Sequence, residues 1–388
     1  MQVNQIRPHL LLLIFALPLF SSGCFGSWVK RHDAIRNNSN KWKQISVESC
    51  KIHSFLLDSV SVPVVYYCRL VDNNETTLSM LNENINSIYL YNIETGILCD
   101  KITIPDFEGI QGYYLSNDTL ILYSYVSDKL FIRIGNDIQI LPLDIQNYGF
   151  LCPKPFLMTS SPIEILNDGK TLVMPVFIAG IGSLQDEKQR RSILLYDYKS
   201  GNYKYCVPFP EEYHRKNWGG NFAYMQPYLS LSKDGKVLIS FAACHDLLVY
   251  DPILDQTFRY YAGSGEIKEI VPSSIPISQI SKHQNELMEW YYRNPSYEGI
   301  YYDHYRHLYY RIARLALPDD RKRAREGNNK PVVIIVLDEK YNYLGEYHLP
   351  ENVHYNSFCS FVSPAGFNIQ VMNGNENELL FHELSFSL

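Results

Sequence analysis

The sequence lacks three features that would point to a function at once. It has no glycine-rich phosphate loop and no nucleophile elbow, so the usual signatures of nucleotide binding and of α/β-hydrolase catalysis are missing. It has no excess of basic residues, because the formal net charge is −6, and this gives no reason to expect nucleic-acid binding. No apolar run after residue 20 is long enough to span a bilayer, which takes about 20 residues.

Cysteines in a metal-binding pattern are also lacking. Seven cysteines follow Cys24, and their wide spacing matches no zinc motif. Their odd number argues against a complete disulfide framework, and several stand inside apparent strands, where a thiol acts as a small apolar side chain. We predict no metal and no cofactor, and we interpret most of these cysteines as core residues. The seven are Cys50, Cys68, Cys99, Cys152, Cys206, Cys244 and Cys359.

The N-terminus has the three-part layout of a secretory signal peptide. One cation, Arg7, precedes an apolar run over residues 10–20, and small residues lead to Cys24. Small residues directly before a cysteine resemble the lipobox of bacterial lipoproteins, although Ser21 stands where that motif usually has leucine. We predict a signal peptide over residues 1–23 and lipidation of Cys24. An ordinary cleaved signal with a chance cysteine is the alternative.

The segment after Cys24 has the composition of a tether. Residues 24–45 are polar and basic and show no apolar periodicity. Several acyl chains hold a protein firmly to a membrane, whereas a single chain binds only marginally. No acidic run follows Cys24, so nothing favours export to the cell surface. We expect a protein of the cell envelope that is lipid-anchored and faces the periplasm, with residues 46–388 as its folded domain.

Two similar segments reveal an internal repeat. SPIEILNDGKTLVMP (161–175) and PYLSLSKDGKVLISF (227–241) each form a strand, an Asp-Gly turn and a second strand. Asp-Gly suits the positive φ of such hairpin turns. A second theme follows each one, over 192–209 and 246–261, in which an apolar strand ends in Asp, turns, and a second strand leaves. Four short antiparallel strands in every 40–50 residues, roughly, are typical of a β-propeller blade.

The spacing predicts an all-β fold, a six-bladed β-propeller with four-stranded antiparallel blades. The five complete units are 62–103, 111–142, 161–208, 226–261 and 298–348. A sixth unit begins at residue 355 with three strands, and an N-terminal strand over residues 46–57 completes it, which removes exposed sheet edges. Seven blades are the alternative if residues 271–296 hide a degenerate blade. A two-layer β-sandwich does not explain a four-strand repeat.

Loop lengths distinguish the two faces of the predicted disc. If the strands of a blade are named A to D in chain order, the A–B and C–D turns share one face, and the B–C and D–A connections share the other. The turns of the first face are short, and we call it the short-turn face. The long connections all belong to the other face, the loop-rich face: 143–160, 178–191, 209–225, 262–297 and 316–331. Long ordered loops on a rigid scaffold commonly carry function, so we predict a site there.

Eight residues on the loop-rich face are candidates for ligand binding. They are His214, Arg215, Trp218, Asn221, His245, Tyr291, Tyr292 and Arg293. An aromatic ring beside a cation and an amide suits a sugar or a carboxylate-bearing ligand, whereas the alternative makes Trp218 the packed anchor of its loop. His245 follows Cys244 in a B–C turn, but a nucleophile also needs a base and an orienting group, so catalytic residues stay unassigned.

A short amphipathic helix is predicted in the connection 262–297, either as a lid or as a plug of the channel. Its apolar residues are Ile280, Leu287, Met288 and Tyr291. The tyrosines and the arginine that end this segment are expected to line the channel mouth, since a tyrosine offers a stacking surface with a polar tip.

The motif YYDHYRHLYYR is the most conspicuous in the chain, and we interpret it as structural. His304 and His307 have the spacing of metal ligands, but in a hairpin of the short-turn face that signal is weak without further ligands. Asp303 and Arg306 are expected to brace the hairpin turn. Arg311 is expected to pack between tyrosines.

The signal and lipobox, the Asp-Gly hairpins and a D-x-x-R-x-x-YYR element together resemble uncharacterised six-bladed propeller lipoproteins of Gram-negative bacteria, a domain-of-unknown-function family with TolB-like propellers. The element here is Asp303, Arg306, Tyr309, Tyr310 and Arg311. The resemblance covers nearly all of the mature chain and implies the propeller fold. It brings no catalytic residues to carry over, and a propeller fold does not by itself imply an activity.

Three functions remain open from the sequence. We expect a binding or scaffolding protein that holds a glycan, a peptide or an envelope protein on its loop-rich face, with no nucleic-acid partner. A carbohydrate-active lyase or hydrolase with a site at the channel mouth is the first alternative, and titratable groups within hydrogen-bond reach there would favour it. A structural envelope component without a small ligand is the second.

Overall fold

The computed structural model of the protein describes residues 43–61, 64–71, 74–104, 107–145, 153–178, 190–219, 222–318 and 330–387. The predicted signal peptide, Cys24 and almost all of the predicted tether lie outside these residues, and so do Cys152 and Asn221. Within the described residues, no helix is both long enough and apolar enough to cross a membrane.

Six antiparallel sheets form a six-bladed β-propeller, which confirms the predicted fold. The first strand, β1 (Ser46–Leu56), belongs to blade six. Blade one contains β2 (Cys68–Val71), β3 (Asn74–Asn82), β4 (Ser87–Asn92) and β5 (Leu98–Thr103). Blade two contains β6 (Ile110–Leu115), β7 (Thr119–Ser124), β8 (Lys129–Ile134) and β9 (Asp137–Pro142). Blade three contains β10 (Pro153–Pro155), β11 (Glu164–Ile165), β12 (Thr171–Ile178), β13 (Arg191–Asp197) and β14 (Tyr203–Pro208).

The remaining blades follow in the same order. Blade four contains β15 (Pro227–Leu231), β16 (Val237–Phe241), β17 (Asp246–Asp251) and β18 (Gln256–Tyr261). Blade five contains β19 (Ser296–Asp303), β20 (Leu308–Arg314), β21 (Val332–Asp338) and β22 (Tyr343–His348). Blade six contains β23 (Tyr355–Val362), β24 (Phe367–Val371) and β25 (Glu378–Ser387), with β1 as its outer strand. The described connections hold the helices α1 (Phe222–Met225) and α2 (Gln284–Arg293) and 3₁₀ turns at Glu83–Ile85, Glu211–Tyr213 and Ile277–Lys282.

The two ends of the propeller domain close the ring, as the strand count predicts. β1 runs antiparallel to β25, from Ser46 opposite Ser387 to Leu56 opposite Glu378. Phe55 of β1 is completely buried. Residues 271–296, the alternative site of a seventh blade, contain a 3₁₀ turn and α2, so the count of six stands.

Asparagine and aspartate side chains form the C–D turns. At the end of β13, Asp197 Oδ1 accepts the backbone N–H groups of Lys199 and Ser200, at 2.9 and 3.1 Å. These bonds satisfy backbone N–H groups of the turn, which are not paired with a neighbouring strand. The same turn recurs after three other C strands, at Asn92, Asp251 and Asp338. This explains why the second theme of the repeat ends its apolar strand in Asp or Asn.

Burial follows the position of each strand within its blade. The middle strands β16 and β17 are buried along their whole length, whereas the outer strands β5 and β9 are mostly exposed. The apolar clusters therefore lie between neighbouring blades, where the faces of the middle strands meet.

Blade three departs from the prediction, because its inner strand is split. β10 pairs with the end of β12 and β11 pairs with its beginning, so the blade starts at residue 153 and not at 161. Prolines are tolerated in β10 because it is an edge strand. Residues 156–163, which we call the plug segment, lie between the two pieces.

The plug segment reaches the inner parts of three other blades. The Thr159 amide donates to the Tyr66 carbonyl at 2.9 Å, next to blade one. The Leu157 amide donates to the Gln111 side chain in blade two at 3.0 Å, and Ser161 Oγ donates to the Pro227 carbonyl in blade four at 2.6 Å. A segment of blade three that bonds to blades one, two and four must cross the space between the inner strands. The plug segment therefore links blade three to the inner sides of three other blades.

Candidate functional site

Trp218 is the anchor of its loop. Its side chain is only 3% exposed, and its indole N–H donates to the Glu212 carbonyl at 3.1 Å. The ring stacks on Tyr224 at 5.7 Å and lies 6.3 Å from Trp290 of α2. The alternative interpretation, a packed anchor, is what the structure shows. The indole offers no surface to a ligand in this arrangement.

The structure describes two further candidates of that loop, His214 and Arg215. Arg215 is exposed and has a positive φ of 57°, and His214 is half-buried. Asn221 lies outside the described residues. Binding through this loop stays a prediction, and Arg215 is the candidate that solvent reaches most freely.

The predicted amphipathic helix is present in two parts, the 3₁₀ turn Ile277–Lys282, which contains Ile280, and α2, and one of its predicted apolar residues is misplaced. Ile280, Leu287 and Tyr291 are buried, but Met288 is 43% exposed. Met288 directly follows Leu287, and neighbouring residues of a helix point about 100° apart. Tyr292 is half-buried against Tyr291, with ring centroids 5.5 Å apart. Arg293 is exposed and lies 3.5 Å from Glu289.

His245 lies on the loop-rich face in a polar setting. Its Nδ1 is 2.7 Å from the Tyr297 hydroxyl, and its ring stacks on Tyr261 at 6.0 Å. Cys244 beside it is completely buried, and this burial raises the pKa of its thiol. A nucleophilic thiol needs a lowered pKa and access to substrate. The Cys244-His245 pair is therefore structural.

Among the residues that the structure describes, two groups of three side chains could surround a metal ion. In the first, Arg259 occupies the centre: its guanidinium bonds to Glu212 at 2.7 Å and to Asp246 at 2.9 Å. The second group brings ligand atoms of Glu266, Glu346 and His348 within 4.8 Å of one another. Burial raises the pKa of Glu346. Among the described residues of the second group, His348 Nε2 lies 3.8 Å from Glu266 Oε1.

Titratable groups also meet where blade five borders the channel. Arg314 Nη1 donates to Ser357 Oγ at 2.6 Å and lies 3.8 Å from Glu298 Oε1. Lys330 Nζ donates to the Asn294 carbonyl at 2.6 Å, and burial lowers the pKa of this amine. Arg314, Glu298 and Lys330 are at most 2% exposed. An enzyme site at the mouth would require these groups to be uncovered, so that alternative stays a prediction.

A cleft that sequence reasoning missed lies on the other face, between blades four and five. It holds about 440 Å³ and opens to solvent. Its walls carry four tyrosines, Tyr260, Tyr302, Tyr309 and Tyr341, and we call it the tyrosine cleft. The turn 232–236 of blade four and the turn 339–342 of blade five form its rim, so it belongs to the short-turn face.

The four rings of the tyrosine cleft form a continuous row. Tyr302 stacks on Tyr309 at 4.9 Å, Tyr309 lies 5.2 Å from Tyr341, and Tyr341 lies 4.6 Å from Tyr260. Tyr309 is buried behind the others, whereas the other three rings are half-buried and face the opening. Burial raises the pKa of Tyr302 and of Tyr341, so these phenols stay neutral.

Charged side chains surround the opening of the cleft. Asp234 pairs with Lys236 at 2.5 Å, and Glu339 pairs with His307 at 3.0 Å. Lys233 and Lys340 are exposed and have no acidic partner among the described residues. With three lysines and two carboxylates, the lining of the cleft carries one net positive charge.

The YYDHYRHLYYR motif contributes to this cleft although most of it is structural. Asp303 and Arg306 brace the turn as predicted, with Arg306 Nη1 3.0 Å from Asp303 Oδ2. Arg311 lies against the Tyr297 ring. Tyr302 and Tyr309 flank the same hairpin and supply half of the row of rings. No local signal could reveal the cleft, because its tyrosines come from separate strands and turns of two blades.

Comparisons with known proteins agree with this architecture. The family model described as a domain of unknown function, DUF4221, matches residues 44–348. The crystal structure of a member of that family from Bacteroides vulgatus ATCC 8482 is 20% identical, with a TM-score of 0.72 over 89% of this chain and 99% of its own. A presumed exported protein from Bacteroides fragilis NCTC 9343 is 12% identical, with a TM-score of 0.54 over 88% of this chain and 97% of its own.

At these identities the two solved structures show a shared fold. No curated protein matches the sequence. The family model covers most of the chain, including blades one to five. The protein therefore belongs to the DUF4221 family, whose function is unknown.

Proposed function

We propose that the protein is an exported, lipid-anchored binding propeller, and that its tyrosine cleft holds an oligosaccharide that carries a carboxylate. The observation that supports this most is the row of four tyrosine rings in a cleft of about 440 Å³. A cleft of this size suits a small ligand or part of a chain, and ligand sites are commonly apolar concavities with a few polar groups.

The tyrosine row suits a sugar ring better than a flat apolar ligand. A pyranose ring has an apolar face made of C–H groups and an edge of hydroxyls. Tyr302 and Tyr341 line the cleft with half-buried aromatic rings, which offer apolar surface to the C–H face of a sugar. The Tyr302 hydroxyl is buried behind its ring, so a ligand would meet the ring of Tyr302 and not its hydroxyl.

The charge at the rim selects an acidic ligand. Lys233 and Lys340 stand on opposite sides of the opening, one in blade four and one in blade five. A hydrogen bond between an ammonium group and a carboxylate is about twice as strong as a neutral one. A neutral oligosaccharide could stack on the tyrosine rings but would form no ion pair with Lys233 or Lys340.

The N-terminal sequence supports the exported location. Its charge, apolar run and small residues before Cys24 have the layout of a lipoprotein signal. A structurally similar Bacteroides fragilis protein is itself presumed to be exported. An envelope protein that binds an acidic glycan would meet its ligand outside the cytoplasm.

Calorimetric titration tests the binding proposal. Wild-type protein is titrated with two oligosaccharides of equal length, one neutral and one containing uronate residues. We expect binding of the uronate oligosaccharide, about 10-fold weaker binding for Tyr341→Ala, and a similar loss for Lys340→Ala. Tyr125→Ala removes a 46% exposed tyrosine of blade two and serves as the matched control, with unchanged affinity. Equal binding of both oligosaccharides, or equal effects of all three variants, would overturn the proposal.

The loop-rich face is a second candidate surface, for a protein partner. The strand order assigns all five long connections to that face, and Arg215 and Lys216 are exposed on it. A photo-crosslinker at position 216 should then capture one envelope protein in cells. The same crosslinker at the exposed Lys199, on the short-turn face, should not. Capture of the same species from both positions would speak against a face-specific partner.

A further inference from the structure

We propose that Cys68 and Cys359 form a disulfide bond that joins the inner strands of the first and the last blade. The proposal rests on the exported location proposed above, because disulfides persist in oxidising compartments and are rare in the cytosol. It does not depend on what the tyrosine cleft binds.

The two sulfur atoms are already next to each other. Cys68 begins β2 and Cys359 lies in β23, and their Sγ atoms are 3.1 Å apart. The side chains are 1% and 0% exposed, so each thiol is enclosed with the other as its neighbour. A displacement of about 1 Å brings the sulfurs to bonding distance, which is within the reach of a χ1 adjustment.

The position of the pair is the seam of the ring. At the outer edge of the seam, β1 pairs with β25, so backbone hydrogen bonds hold the N-terminal strand to the last blade. Blades one and six meet at their inner strands without such a ladder, since β2 and β23 belong to separate sheets. A bond between Cys68 and Cys359 would fasten this inner edge. It would enclose nearly the whole propeller, and longer loops lose more conformational entropy when they are cross-linked.

The surroundings distinguish this pair from the other cysteines. Thr159 Oγ1 of the plug segment accepts a hydrogen bond from the Cys68 backbone N–H at 2.8 Å and lies 3.8 Å from Cys68 Sγ. The plug segment therefore covers the cysteine pair. Cys206 and Cys244 are buried too, but their sulfurs contact the Tyr250 hydroxyl and the Arg259 guanidinium, each at 3.4 Å. The odd number of cysteines is compatible with one bridge.

The oxidation has a defined balance. The thiolate of one cysteine attacks the exposed disulfide of a protein thiol oxidase, which forms a mixed disulfide and releases one oxidase thiol. The second cysteine loses its proton and attacks the mixed disulfide, so the new Sγ–Sγ bond forms and the oxidase leaves as a dithiol. Two cysteine protons and two electrons are lost in total, and the electrons reduce the oxidase disulfide.

Burial decides when this exchange can occur. Burial raises the pKa of the Cys359 thiol, and the Cys68 sulfur beside it acts in the same direction. Little thiolate is then present in the folded state, and thiolate is the attacking species. The bond should form while the blades assemble and should resist reductant afterwards, because the plug segment covers it.

Peptide mapping of the exported protein tests the bond directly. The full chain is produced through its own N-terminal signal, denatured without reductant in the presence of an alkylating agent, and digested. We expect the peptides containing Cys68 and Cys359 to be recovered linked, with two hydrogens fewer than the separate thiols. Recovery of both as alkylated peptides, or a link from either to another cysteine, would overturn the proposal.

A stability measurement provides a second, independent readout. Reductant should increase the unfolding equilibrium constant of the wild type on the order of 100-fold, the scale of a typical native cross-link. The Cys68→Ala/Cys359→Ala variant should show no such dependence, and Cys206→Ala should retain it in full. An equal response to reductant in the double variant and in the wild type would contradict the bond. A failure of the double variant to fold would leave peptide mapping of the wild type decisive.

Discussion

Arg311 lies with its guanidinium carbon 4.0 Å from the centroid of the Tyr297 ring, and both side chains are completely buried. Arg311 belongs to blade five, yet it donates to carbonyls of blade four, those of residues 245 and 262, at 2.7 and 3.0 Å. One guanidinium thus fixes both the B–C turn of blade four and the start of the long connection after it. The five donors of a guanidinium fit this task, whereas an ammonium group has three.

Arg311→Lys should destabilise the propeller although it keeps the charge. Lysine cannot reach all the carbonyls, and each buried acceptor left without a donor costs about 1–3 kcal/mol. We expect the free energy of unfolding, measured with urea, to fall by about 3 kcal/mol or more. The control is Arg293→Lys, at an exposed position of α2. This substitution should change the free energy of unfolding by less than about 0.5 kcal/mol. Similar effects of the two substitutions would show that the buried network is unimportant.

Asp303 should be more sensitive to substitution than Tyr310, another residue of the D-x-x-R-x-x-YYR element. It is completely buried and accepts the Tyr310 hydroxyl at 2.7 Å, the Arg306 side chain at 3.0 Å and two backbone amides of its own turn. Asp303→Ala should lower the free energy of unfolding by about 3 kcal/mol, and Tyr310→Phe by about 1 kcal/mol. Equal losses in chemical denaturation would show that the carboxylate does not organise the turn.

Glu346 should make stability depend on pH. Burial, followed by repulsion from Glu266, raises its pKa above the ordinary 4.5, although the Ser264 hydroxyl and His348 act in the opposite direction. A carboxyl with a raised folded-state pKa stabilises the fold below the unfolded-state pKa, and this contribution is lost as the pH rises through the folded-state pKa. Glu346→Gln should therefore raise the unfolding free energy near neutral pH, and this gain should shrink as the pH falls through the raised folded-state pKa towards the ordinary value of 4.5. A Glu346→Gln variant that is less stable than the wild type near neutral pH would contradict the predicted increase in the free energy of unfolding.

Ring closure by β1 should be essential for solubility. A chain that begins at residue 61 lacks β1 and exposes the edge of β25, and an exposed edge strand promotes aggregation. A chain that begins at residue 43 keeps β1 and should unfold cooperatively like the full-length protein. Light scattering and denaturant unfolding of the two truncations distinguish these outcomes. A soluble, cooperative protein without β1 would show that blade six is stable with three strands.

The blade count was predictable because its signals are local. The Asp or Asn that ends a C strand accepts backbone N–H groups of the turn that follows it. The turns after Asn92, Asp197 and Asp251 can therefore be recognised from local sequence. The assignment of connections to faces follows from strand order alone. Only blade three was placed wrongly, since its inner strand is interrupted by the plug segment and the short β10 carries two prolines.

The candidate site was not predictable, because it depends on packing between blades. Tyr260 and Tyr341 are distant in sequence, and their rings meet at 4.6 Å only when blades four and five lie side by side. An aromatic residue in a polar loop can either offer its ring to a ligand or bury it, and the loop sequence around Trp218 does not distinguish the two. Neighbouring aromatic side chains from α1 and α2 decide that it is buried.

The position of a bound acidic oligosaccharide tests the account most directly. Hydrogen exchange is measured by mass spectrometry on the wild-type protein with and without the uronate oligosaccharide. We predict protection of the two rim turns, residues 232–236 and 339–342, and of the hairpin around Tyr302 and Tyr309. Protection confined to the loop-rich face, at residues 209–219 and 262–295, would contradict the assignment of the ligand site to the tyrosine cleft.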